Sequence, residues 1–129
     1  MTLSDTLIVL ATLLSPLIAV QVTRYLDDRK EKQGRKLHVF KTLMATRASQ
    51  LAPEHVEALN RIDLEFSPND KKEKAVLDIW QKYLDHLGIK DMDPNMWTDK
   101  RVDILIELLH AMSGALGYGF NETQIKNGT

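Results

Sequence analysis

An all-α protein, built as a single N-terminal transmembrane helix followed by a small four-helix cytoplasmic bundle, is predicted by three features of this sequence. Eighteen consecutive residues, Thr6 to Thr23, carry no charge. Four later segments repeat apolar residues at helical spacing. No segment alternates apolar and polar residues for long, and no Asn-Gly hairpin divides two β-rich runs. With 129 residues, 43% hydrophobic and 27% charged, the chain has room for one compact domain plus an appendage. That composition excludes a mainly disordered or collagen-like chain. The absence of cysteine excludes disulfides and thiolate metal sites. A net charge of −1 argues against a general nucleic-acid binder.

The charge-free run is rich in Leu, Ile, Val and Ala. As a helix, eighteen residues extend about 27 Å, close to the hydrocarbon thickness of a bilayer. Charges then arrive densely. Arg24, Arg29, Lys30, Lys32, Arg35, Lys36 and Lys41 stand against Asp27, Asp28 and Glu31, a local balance of +4. From Thr42 onward ten basic and fourteen acidic residues give −4. Basic flanks stay cytoplasmic, so the expected topology is a single pass through a membrane, N-terminus out and C-terminal domain in. Tyr25 suits an interfacial aromatic, and Arg24 can snorkel toward headgroups. The start has no basic n-region and no small-residue cleavage site, as a secretory signal would need. The span is minimal and contains Thr12, Ser15, Pro16 and Gln21, so a helix packed in the core of a soluble oligomer is the competing reading. Pro16 predicts a kink or local break near Thr12 to Pro16.

The expected organisation is an anchor over 1–25, a basic juxtamembrane continuation over 26–36, a helical domain over 37–120 and a weakly ordered tail over 121–129. Nothing breaks the first helix before Gly34. A second helix is expected from Arg35 to Gln50, with Leu37, Phe40, Leu43, Met44 and Leu51 apolar. Pro53 suits the first turn of a third, which carries Val56, Leu59, Ile62 and Phe66 on one face. Asp70 followed by Glu73 predicts a capping box for a fourth, with Val76, Ile79, Trp80, Tyr83, Leu84 and Leu87 as its stripe and Gly88 as its stop. A loop from Ile89 to Trp97 follows. Thr98 is expected to cap the fifth helix, with Val102, Leu105, Ile106, Leu109, Met112 and Leu116 inward. Gly114, Gly117 and Gly119 end it.

Candidate sites are few. His38, His55, His86 and His110 have no metal-ligand spacing, so no metal site is expected. His110, on a largely apolar helix, is expected in the core or an interface. Asp91 to Asp99 imitates a calcium loop, but Met96 stands where glycine is needed and Val102 where a bidentate Glu is needed. There is no phosphate loop, no GxSxG elbow and no cysteine nucleophile. A non-enzymatic protein without cofactor is therefore expected. Glu107 sits among Ile104, Ile106, Leu108 and Leu109, where burial would raise its pKa. Arg47 falls on or beside an apolar face, where a charge needs pairing with Asp63 or Glu65, or an anion. The basic juxtamembrane segment can touch anionic headgroups. It has no interleaved aromatics, which argues against nucleic acid.

The stretch Val39-Phe-Lys-Thr-Leu-Met-Ala-Thr-Arg47, running into Leu51-Ala-Pro-Glu-His-Val-Glu-Ala-Leu-Asn60 and Ile62-Asp-Leu-Glu-Phe66, resembles a bacterial and phage family of unknown function. Leu116-Gly-Tyr-Gly-Phe120 and Ile125-Lys-Asn-Gly128 are similar to its closing segment. The resemblance implies a short N-terminal hydrophobic helix joined to a small helical domain, a family that runs slightly further than Thr129, and no known activity. A phage source would suit a small inhibitor of host machinery.

Two readings of function follow. One is a membrane-anchored interaction protein, held by lipid at residues 6–23 and binding another protein or itself through Arg47, Met92, Met96, Trp97, Tyr118 and Phe120. Exposed aromatics and methionines are typical anchors. The alternative is a soluble homo-oligomer that binds a small anionic ligand of nucleotide type near Arg47 and Lys71, Lys72 and Lys74. A hydrolase assembled from scattered Asp, Glu and His lacks any motif.

Overall fold

The computed structural model describes residues 2–127. Met1, at the head of the expected anchor, and positions 128 and 129, at the end of the expected tail, lie outside them. All regular structure among the described residues is helical: α1 Leu3–Thr46, α2 Pro53–Asn60, α3 Ile62–Glu65, α4 Lys71–Leu87, α5 Pro94–Ala115 and α6 Glu122–Lys126. The chain forms two compact units, Met1–Gly34 and Arg35–Thr129.

In the first unit every described side chain is exposed, the apolar run included. This helix is long and apolar enough to cross a membrane, and none of its apolar window is buried against protein. The helix runs through Pro16, so of the kink or local break expected there the break does not occur. Pro16 removes one donor, while the Thr12 and Ser15 hydroxyls donate to the Ile8 and Ala11 carbonyls at 2.8 and 2.7 Å. Nor does Gly34 end it: the predicted second helix is the continuation of α1. A lone helical glycine costs only about 1 kcal/mol relative to alanine, too little to stop a helix with good formers on both sides.

The second unit holds the core. α1 contributes Val39, Phe40 and Leu43, and α4 contributes Val76, Trp80 and Tyr83. α5 supplies most of the rest: Ile104, Leu105, Ile106, Leu108, Leu109 and Met112 are all buried. α4 and α5 pack most extensively against each other. Ion pairs from Arg35 to Glu65 at 2.9 Å and from Lys36 to Glu73 at 2.8 Å tie this part of α1 to α3 and α4.

The predicted third helix is two pieces. Arg61 closes α2 and opens α3, and the turn rotates the buried face to His55, Ala58, Leu59 and Ile62, leaving Val56 half exposed. Asp70 caps α4 as expected, accepting from the Lys72 and Glu73 amides at 2.8 and 3.1 Å. Glu73 completes no box. Its carboxylate accepts from the Ser67 amide at 3.2 Å and pairs with Lys36.

α5 begins five residues before the Asp99 start that a Thr98 cap implies. Asp93 is its cap, accepting from the Met96 amide at 3.2 Å, and Pro94 opens it. Met96 and Trp97 are therefore helical, not loop. Its C-terminus closes as a Schellman turn: the Tyr118 amide donates to the Ser113 carbonyl and the Gly117 amide to that of Gly114. Gly117 has φ +82°, the left-handed conformation this turn requires.

The described part of the expected tail is ordered. Asn121 and Gln124 exchange side-chain and backbone hydrogen bonds at 2.8 Å, a capping box that starts α6. Ile125 is fully buried in the core. This segment is a structural element because one apolar side chain on a capped turn is enough to dock it.

Candidate functional site

Tyr118 and Phe120, two of the expected interaction residues, lie against each other, and a third ring joins them. Phe40 of α1 lies 5.9 Å from Tyr118 and 6.2 Å from Phe120, and the latter two are 6.0 Å apart. Ring pairs at such distances add modestly to burial. The strap that carries them is pinned by Ser113, which is fully buried. Its hydroxyl donates to the Tyr118 carbonyl at 3.0 Å and accepts from the Phe120 amide at 3.2 Å. His110 is exposed rather than in the core, and its Nδ1 bonds the Phe120 carbonyl at 3.1 Å. Leu37, Phe40, Lys41, Met44, Tyr118 and Phe120 line a shallow cleft of about 230 Å³.

Arg47 does not pair with Asp63 or Glu65. It follows the last residue of α1, where its Nη1 donates to the Met44 carbonyl and thus closes the helix end. Asp63 instead accepts from the Trp80 indole at 3.1 Å, and Glu65 is taken by Arg35. Met92 and Met96 line a separate open cleft with Lys82, Asp99, Lys100 and Glu107. Met96 is 63% exposed, whereas Met92 is half-buried. Glu107 is not buried. It is partly exposed and its carboxylate pairs with Lys82 at 3.1 Å.

Trp97 turns inward. It stacks on His86 at 5.3 Å, its indole donates to the His86 carbonyl at 3.0 Å, and His86 Nε2 donates to the Trp97 carbonyl at 2.8 Å. Arg101, one turn along α5, lies over the Trp97 ring at 5.2 Å. The Arg101 and His55 arrangement is absent from the sequence reading. The i, i+4 spacing of Trp97 and Arg101 is the signal that would have found the first of them, once α5 is started at Pro94.

His55 is fully buried. Its Nδ1 lies 2.9 Å from the Thr46 hydroxyl, which also donates to the Thr42 carbonyl at 2.7 Å. A hydroxyl has one proton, so His55 Nδ1 carries the hydrogen and Nε2 is the bare nitrogen. Burial, and then the Arg101 charge, hold the His55 pKa below its ordinary 6.5. Burial likewise raises the Tyr83 pKa, with Arg101 opposing it. For a histidine with a depressed pKa, the folded state binds fewer protons than the unfolded one below about pH 6.5. Its contribution is thus complete above that pH and lost as the pH falls. Thermal unfolding midpoints should drop from pH about 7.5 to about 5.5, and His55→Gln should flatten that drop while lowering both values.

No similar curated protein and no similar solved structure was found. A family model, by contrast, spans residues 1–129 from the apolar helix through the closing segment. The chain belongs to DUF6680, a family of unknown function.

Proposed function

We propose that this protein is a membrane-anchored, non-enzymatic interaction module at the inner face of a bacterial membrane. Residues 6–23 span the bilayer, and residues 37–120, with α6 added to the predicted four helices, form the cytoplasmic helical domain. The observation that carries this reading is the charge-free run whose side chains are all exposed in the folded chain. So long an apolar surface needs lipid or another protein to cover it. The arginine- and lysine-rich flank that follows supports the orientation. The aromatic cleft of Phe40, Tyr118 and Phe120 and the exposed Met96 are the surfaces offered to a partner, or to a second copy. Their action is stoichiometric: occupying a partner's surface or holding it at the bilayer.

The chain has no native cysteine, so single introduced thiols report topology without background. In intact bacterial spheroplasts, Thr2→Cys should react with a membrane-impermeant maleimide and Lys72→Cys should react only after permeabilisation. Labelling of Lys72→Cys from outside, or recovery of both variants in the detergent-free soluble fraction, would overturn the proposal.

A further inference from the structure

The cleft between α1 and the aromatic strap is apolar except at one place. Lys41 is the only charged residue that lines it, and Lys41 is exposed. It takes part in none of the ion pairs found among the described residues. At about 230 Å³ the cleft is smaller than the roughly 300–1,000 Å³ of sites for cofactors and other small molecules. That size suits a single apolar side chain of a protein, set in a pocket as an anchor. The walls are fixed in advance: the buried Ser113 hydroxyl holds the strap at Tyr118 and Phe120, and Phe40 stacks on Tyr118. A rigid apolar cleft beside one unpaired ammonium calls for an apolar anchor beside a carboxylate.

The chain presents such a pair itself. Leu51 is 86% exposed, too exposed to fill the cleft of its own chain. It stands on the connection from α1 to α2, which successive turns tie down. The Ser49 amide donates to the Thr46 carbonyl at 2.8 Å, and the Ala52 amide donates to the Ser49 carbonyl at 3.0 Å. The Gln50 side-chain amide donates to the Arg47 carbonyl at 3.4 Å. Glu54 follows in the first turn of α2, exposed and in no ion pair among the described residues. Leu64, 81% exposed, is a comparable knob, but the carboxylates beside it are taken. Asp63 accepts from Trp80, and Glu65 pairs with Arg35.

We propose that the occupant of the aromatic cleft is Leu51 of a second copy of this chain, with that copy's Glu54 paired to Lys41. Anchor and cleft lie on one domain, so a two-fold axis lets each copy give its Leu51 and receive the other's, as in an isologous dimer. The inference rests on the membrane-anchored interaction reading and names its partner. One leucine and one ion pair each way make a smaller contact than the roughly 1,200 Å² at which stable interfaces begin. Two copies held in one bilayer meet at a far higher effective concentration than in free solution, which offsets the small area.

The test follows energy transfer between donor- and acceptor-labelled copies of the full chain, each labelled through Lys72→Cys, in phosphatidylcholine liposomes at low protein density. Copies with no other substitution should transfer energy. Leu51→Ala should weaken association about tenfold, and Leu64→Ala should leave it unchanged. Lys41→Glu and Glu54→Lys each set like charges together in both contacts, so neither variant should associate alone. Mixed, they restore an opposite pair at each contact, and energy transfer should return. Both positions are exposed, so circular dichroism should show the same helix content in each variant. Undiminished transfer in Lys41→Glu, no recovery in the mixture, or an unaffected Leu51→Ala would overturn the contact. Flotation of the same liposomes separates the two readings. A chain that floats without energy transfer overturns the contact alone and leaves the cleft to a different protein. A chain that does not float overturns the anchored reading, and this contact with it.

Discussion

The double substitution Leu10→Lys with Leu14→Lys is expected to abolish membrane integration. Both residues lie in the middle of the charge-free run and are exposed. Each exchange replaces a favourable apolar contribution with a central charge, and together they cost roughly 6 kcal/mol on an insertion scale. That corresponds to about four orders of magnitude in apparent partitioning. Flotation after an alkaline wash reads the outcome. The wild type should float with lipid and the lysine pair should not, while Leu10→Ala with Leu14→Ala should still float. A lysine pair that floats like the wild type would contradict the proposed span.

The second large effect concerns the closing segment. Ile125→Ala should destabilise the helical domain by about 2–5 kcal/mol, the range for truncating a buried aliphatic side chain. For a domain of this size the midpoint would fall by roughly 10 °C or more. Ile125 is fully buried, and α6 docks against α5 through few residues, so no neighbour can take its place. Denaturant unfolding followed by circular dichroism measures it. An unchanged midpoint would return positions 121–127 to the status of a loose tail.

The error over that segment shows what the sequence displays and what it hides. Helical class, the Asp70 cap, the inward face of α5 and the apolar N-terminal run were all legible, because each depends on local spacing or a local capping residue. α6 was not, because its five residues hold a single large apolar side chain and no periodicity can be seen in one residue. The start of α5 was missed for a different reason. Pro94 opens α5 at the first-turn position that Pro53 takes in α2, but the surrounding acidic residues disguised it as loop.

The candidate site was less legible than the fold. Tyr118 and Phe120 were read as aromatic anchors, and the structure gathers them on Phe40, a contact across more than seventy residues that spacing cannot reveal. Arg47 was given partners from the neighbouring helix, yet tertiary packing had already assigned Asp63 to Trp80 and Glu65 to Arg35. Trp97 faced inward because α5 starts early enough to place it one turn before Arg101. Buried polar residues such as His55 were invisible, since a histidine on a half-polar helix has no sequence mark of burial.

The account depends most on what surrounds the N-terminal helix. A nitroxide attached through Leu13→Cys in the otherwise cysteine-free chain, in bilayers, reports this by collision rates. Lipid around the helix predicts high accessibility to oxygen and low accessibility to a water-soluble nickel chelate. Low accessibility to both, as in a packed protein core, or high accessibility to nickel, as in water, would contradict it.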